Sequence, residues 1–172
     1  MTENIVKAIV GLFGGLATIP FGKEIIVFCI SIMPILELRG GLLAASLIGL
    51  NPVSSYIIAI IANIIPVPFI LWFINIILDK MRNSKRKKIK KTAAWLDKKV
   101  EKHKGQIEKF GFWGLVFFVG IPLPGTGAWT GCLIAAVLEM DRKKAFLAAM
   151  IGIFMASIIM MLISFGLLKA II

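Results

Sequence analysis

Four long stretches of the chain carry no charged residue: Ile25–Leu36, Gly40–Leu78, Phe110–Leu138 and Ala145–Leu168. A membrane-crossing helix needs about twenty apolar residues at about 1.5 Å each. Val53–Leu78 (26 residues) and Ala145–Leu168 (24 residues) meet that length, so helices are predicted over 53–78 and 144–168. The first contains Asn63, Pro66, Pro68 and Asn75 and is expected to kink and to face protein on one side. The second contains Gly152, Ala156, Ser157 and Gly166, small residues suited to close helix packing.

The other two apolar regions are each broken near the middle. Residues 25–50 are interrupted by Glu37, Leu38, Arg39, Gly40 and Gly41, shortly after Pro34, and 110–138 by the string IPLPGTGAWTG. Each arm is ten to twelve residues, or roughly 15 to 18 Å of helix, about half the hydrocarbon core. Pro122 and Pro124 remove backbone donors, and Gly125 and Gly127 permit non-helical angles. Broken helices survive at membrane depth only where the freed backbone meets protein or water. Both regions are therefore predicted to be re-entrant helical hairpins.

Composition agrees with a membrane protein: 59% hydrophobic residues and 17% charged, against about a quarter charged in a soluble domain. The net charge of +11 is concentrated in Asp79–Lys109, which holds thirteen of the twenty basic residues and four of the nine acids. That concentration fits a cytoplasmic segment obeying the positive-inside bias better than it fits a nucleic-acid binder. Within it, Ile89, Ala93, Leu96, Val100, His103, Ile107 and Phe110 recur at alternating spacings of four and three, predicting a lysine-rich amphipathic helix over 83–109. Three readings follow: a helix on the inner leaflet with lysines at anionic headgroups, which is preferred; a connector packed on its own protein or a partner subunit; and a coiled coil.

Charge also sets the expected topology. Basic residues flank 110–138 on both sides, with Arg142, Lys143 and Lys144 after it, so that hairpin should enter from the cytoplasm and return. Val53–Leu78 then begins outside, and the hairpin at 25–50 dips in from the outside. Pro34 precedes Val53 by nineteen residues, as Pro122 precedes Asp141. The expected fold is thus all-α and integral to the membrane: two inverted repeats, each a hairpin followed by a transmembrane helix, joined by the basic helix. An N-terminal helix at 4–20 is expected to be retained rather than cleaved, because "LATIP" makes a poor cleavage site. Inverted repeats with broken helices meeting near the midplane are a plan shared by many secondary transporters.

Candidate chemistry lies at the two breaks. A charge at bilayer depth is costly, so Glu37 and Arg39 are read as functional: Glu37 as a proton or cation site, Arg39 as a contact for phosphate or carboxylate. Gly40 and Gly41 are expected to allow the break and let backbone amides approach that anion. The alternative is a satisfied pair that merely pins the tip. The second break offers the amides of Gly125, Thr126 and Gly127, the Thr126 hydroxyl and the Trp129 ring, as an anion nest, a pore lining or a plain turn. Pro34, Pro122, Pro124 and Asn63 complete the candidate set. Cys29, Cys132 and the single His103 have no metal or disulfide spacing, and no nucleophile–base pair appears, so no cofactor, metal or enzymatic activity is expected.

PILELRGG together with GIPLPGTGAWTG, each followed by one predicted transmembrane helix, resembles the small multi-drug export protein family over about residues 24 to 168. That family is similar in plan to DedA/VTT-type membrane proteins, whose second hairpin carries arginines; here Arg39 stands in the first. The resemblance implies two opposed hairpins in the cell membrane and a role in lipid-carrier translocation, scrambling or drug tolerance. The expected function is a transporter of an amphipathic or lipid-linked phosphate substrate, proton-coupled and homodimeric. The alternatives are a cationic drug exporter and a non-transporting, lipid-organising scaffold.

Overall fold

The computed structural model describes residues 11, 15, 19–123 and 125–167. The expected N-terminal helix at 4–20 lies almost wholly outside them. Among the described residues the chain is helical throughout, with no strand: α1 (Gly22–Ile32), α2 (Glu37–Leu47), α3 (Pro52–Ile64), α4 (Pro66–Arg82), α5 (Lys87–Gly120), α6 (Ala128–Val137), α7 (Arg142–Met161) and a closing π-helical turn (Leu162–Leu167). Two stretches, Pro52–Arg82 and Arg142–Gly166, are long and apolar enough to cross a membrane.

The predicted helix at 53–78 is divided at Ile65 into α3 and α4. Pro66 and Pro68 have no N–H, so the carbonyls of Ala62 and Ile64 lose their helical donors. Ile65 itself keeps helical angles, and the two helices follow one another directly. α3 and α7 start alike: the side chain of Asn51 accepts from Val53 and Ser54 N–H, and that of Asp141 accepts from Lys144 N–H at 2.9 Å.

The basic segment and the first arm of the second hairpin form one helical run, α5, broken only at Gly111, whose φ of 53° and ψ of −123° are open to glycine. The break reverses the chain. His103 and Phe118 pack edge-to-face with ring centroids 5.5 Å apart, whereas a straight helix would separate them by about 22 Å. The predicted stripe turns inward. Ala93, Val100 and Ile107 are buried and the latter two belong to the main core. So the apolar stripe is covered by the chain itself, as the second of the three readings has it.

The local geometry of one half recurs in the other, 90 residues further on, as 51 is to 141. Positive φ occurs at Phe21 and Gly111, at Glu37 and Gly127, and at Gly49 and Glu139. The turn bond Leu50 N–H to Ala45 O (2.9 Å) matches Met140 N–H to Ala135 O (3.0 Å), and the caps Asn51 and Asp141 match as well. This offset pairs Pro34 with position 124, not 122. In each half the helix after the tip packs closely on the one before it: a Cβ on Gly41 would lie 3.2 Å from the Val27 carbonyl, and one on Gly131 would lie 2.7 Å from Val119 Cγ2. The main core runs through Val27, Leu42, Leu115, Ile134, Ala148 and Ile153 and joins both halves.

Candidate functional site

α1 ends at Ile32, the chain turns over Met33–Leu36, and α2 begins at Glu37. The Glu37 N–H is bound to Met33 O at 2.9 Å, and the residue adopts φ 53°. Its side chain is only 4% exposed, and it is the one buried carboxylate among the described residues. The carboxylate crosses to the second half. Oε2 accepts the N–H of Ala128 and Oε1 that of Trp129, each at 3.0 Å. These are the first two amides of α6, a helix whose N-cap residue, Gly127, has no side chain to offer. Glu37 caps α6 from another hairpin, with its negative charge at the positive end of the helix.

Arg39 does the complementary work at the end of α5. Its guanidinium donates to the carbonyls of Leu123 (2.6 Å), Ile121 (3.2 Å) and Val119 (3.4 Å), and to the Thr126 hydroxyl (3.2 Å). The Thr126 hydroxyl in turn donates to Leu123 O at 2.9 Å. A cation thus meets the negative end of the helix before the break, and an anion meets the positive end of the helix after it. The two charges of the first tip clasp both sides of the break in the second.

With two bonds to Glu37 and four to Arg39, the clasp gives both charges hydrogen-bond partners and fixes which backbone groups meet.

Gly127 makes the clasp possible. A Cβ there would lie 2.7 Å from the Glu37 carboxyl carbon, and its φ of 138° is itself unfavourable for an L side chain. Gly40 and Gly41 play a different part from the one expected. Both lie inside α2, away from the turn at 33–36, and the Gly40 N–H is occupied by Leu36 O. They let α2 lie against Ile30, Ser31 and Val27 of α1 rather than opening the break or cradling an anion.

The remaining predicted residues divide. Thr126, Gly127 and Trp129 join Glu37 and Arg39 in the clasp, Trp129 through its backbone N–H. Gly125, at φ 86°, sits exposed at the tip. Pro34 is exposed on the first turn and Pro122 half-buried beside the Arg39-bound carbonyls; Pro124 lies outside the described residues. Asn63 is buried in α3, and neither polar atom of its amide has a hydrogen-bond partner among the described residues; no bond ties it to the clasp.

Sequence reasoning missed the carbonyls of Val119, Ile121 and Leu123 and the amides of Ala128 and Trp129. One signal was present: GTGAW opens a buried helix without an N-capping side chain of its own, so the cap must come from elsewhere. It also missed Asn75, whose amide donates to Ala136 O at 2.9 Å and ties α4 to α6.

Beside the Arg39-bound loop runs an open groove of about 410 Å³, lined by Phe110, Trp113, Phe117, Ile121, Leu123 and Thr126. Trp113 and Phe117 are more than half exposed. The groove carries no ionised side chain in its lining. Lys109 stands at its rim, its ammonium 5.4 Å from the centre of the Phe110 ring.

Residues 37–159 match the family described as "Putative small multi-drug export protein". The match begins at Glu37 itself and takes in the clasp, the groove, the first long apolar stretch and most of the second. Searches of curated proteins and of solved structures each found no match.

Proposed function

The chain belongs to the small multi-drug export protein family, and on that footing we propose that this membrane protein moves amphipathic solutes across the cell membrane, with the aromatic groove as their docking surface and the clasp as the element that opens and closes. The observation that carries this reading is the continuity of the two. Ile121, Leu123 and Thr126 at once line the groove and bind Arg39. A solute wedged against Leu123 and Thr126 competes with the contacts that hold the tips together.

Two features favour a lipophilic, drug-like solute over a lipid-linked phosphate. Both terminal nitrogens of Arg39 are spent on four acceptors of the chain, which leaves little for a phosphate. The groove offers ring faces and aliphatic side chains, suited to apolar bodies and aromatic cations. Proton coupling, where it operates, runs through Glu37: a neutral carboxyl loses the charge that the α6 N-terminus attracts. In this reading the hairpins are re-entrant, the halves are inverted in the membrane, and two copies assemble.

Counterflow of a fluorescent lipophilic cation from proteoliposomes, with and without a pH gradient, tests the proposal. Trp113→Ala should raise the half-saturating concentration severalfold with the fold intact. Glu37→Gln should abolish the dependence on the gradient. Equal flux in empty vesicles and in vesicles containing the protein would sink the transporter and leave a lipid-organising scaffold. Uptake of a phosphoprenyl lipid in preference to the cation would restore the phosphate reading.

A further inference from the structure

We propose that the first segment of α5, Lys87–Lys109, is a membrane-surface contact that binds anionic lipid headgroups through the face opposite its buried stripe. Successive residues of a helix are rotated by about 100°. Facing away from Ala93, Val100 and Ile107 are Lys87, Lys91, Trp95, Lys98, Lys102 and Lys109, and every one of them is exposed. No acid lies among them. Asp97, Glu101 and Glu108 fall together on one flank. Two of these are engaged within the chain, Asp97 by Arg82 and Glu101 by Lys104 at 2.8 Å. The lysine face is left uniformly positive.

Three features single out a lipid surface as the occupant. Trp95 is 59% exposed in the middle of the lysines, and an amphipathic indole among basic side chains suits the headgroup level. The helix continues from α4, the end of a stretch long enough to span, and is fastened to that end by Arg82 and Asp97. Beyond Gly111 it lies against the arm 112–120, whose Trp113 and Phe117 are exposed apolar rings. A polar helix packed along a lipid-facing arm sits at the interface, where lysine stems reach headgroups. Each basic residue near an anionic surface strengthens attachment about fivefold, an effect that salt screens.

The test uses the full chain with Cys29 and Cys132 replaced by alanine and a nitroxide on Ala94→Cys, beside the lysines. The chain is reconstituted in phosphatidylcholine alone or with one quarter phosphatidylglycerol. Access of a water-soluble nickel relaxant to the label should fall about threefold or more with phosphatidylglycerol and recover in roughly 0.5 M salt, which shortens the screening length. Lys98→Glu with Lys102→Glu should remove the effect. Lys98→Gln with Lys102→Gln should halve it or more, which covers a poorly folding charge reversal. Equal access in both lipids overturns the proposal. So does protection by polyuridylate in phosphatidylcholine with none from phosphatidylglycerol, which would assign the face to nucleic acid. The label reports surface contact and not flux, so this result stands or falls apart from the transport reading.

Discussion

At Glu37 the chain places its one buried carboxylate, among the described residues, against two helix-starting amides and a glycine with no Cβ to spare. This makes a coupled pair out of Glu37 and Gly127. Gly127→Ala should lower stability by about 2 to 4 kcal/mol, from the strained φ and the clash with the carboxylate together. Glu37→Ala should cost about 2 to 4 kcal/mol by leaving the α6 amides uncapped. The double variant should cost clearly less than the two together, because the clash needs both side chains. Thermal unfolding of the three variants in detergent measures this, and strict additivity would show that the two residues do not meet. Arg39→Lys tests the other half of the clasp. A lysine lacks the planar fork that reaches several carbonyls, so it should recover only part of what Arg39→Ala loses. Glu37, Arg39, Thr126 and Gly127 stood out in the sequence, because charge and glycine breaking apolar runs demand a reason. What they bind was not. Glu37 and Arg39 bind mainly backbone atoms some 80 to 92 positions away, and backbone groups leave no residue-type signal.

At the scale of elements, the long apolar helices and the two breaks followed from run length and from proline and glycine. The fold-back of α5 did not. Gly111 stands in GFWGLV, an unremarkable apolar context, and nothing in the spacing marks it as the one residue with non-helical angles inside a 34-residue run. Gly111→Ala should therefore straighten or strain the segment at a cost of about 1 to 3 kcal/mol. Cysteines at His103 and Phe118 should crosslink in the parent chain and much less in that variant. The destination of the amphipathic stripe was equally hidden, since periodicity shows that a face is apolar but not what covers it. The middle of the basic helix is held to the end of α4 by the forked contact of Arg82 with Asp97, Nε to Oδ2 at 3.1 Å. Arginine stays protonated at every working pH, so the tie should be insensitive to pH between neutral and mildly alkaline conditions. It should weaken with salt, and Arg82→Ala should cost at most about 1 kcal/mol because the pair is exposed. Unfolding midpoints at low and high ionic strength provide the check.

For the whole molecule, the 90-residue correspondence sharpens a question about orientation. Asn51 and Asp141 occupy the same place in the two halves, each capping the start of a long apolar helix. The surroundings differ in charge. Asn51 stands in LNPVSS with no basic residue nearby, whereas Asp141 is followed by Arg142, Lys143 and Lys144. On the positive-inside bias, equivalent positions would lie on opposite sides of the membrane, as halves related by an axis in the membrane plane require. Such an arrangement would bring the two tips towards each other from opposite faces, which is one way for Glu37 to reach the start of α6. Single cysteines at Ser54 and Lys143, in a chain with Cys29 and Cys132 replaced, test this in whole cells. Ser54→Cys should react with a membrane-impermeant maleimide added outside. Lys143→Cys should react only after the membrane is opened. Labelling of both from one side would mean that the halves are parallel, and the clasp would then join tips that enter from the same face.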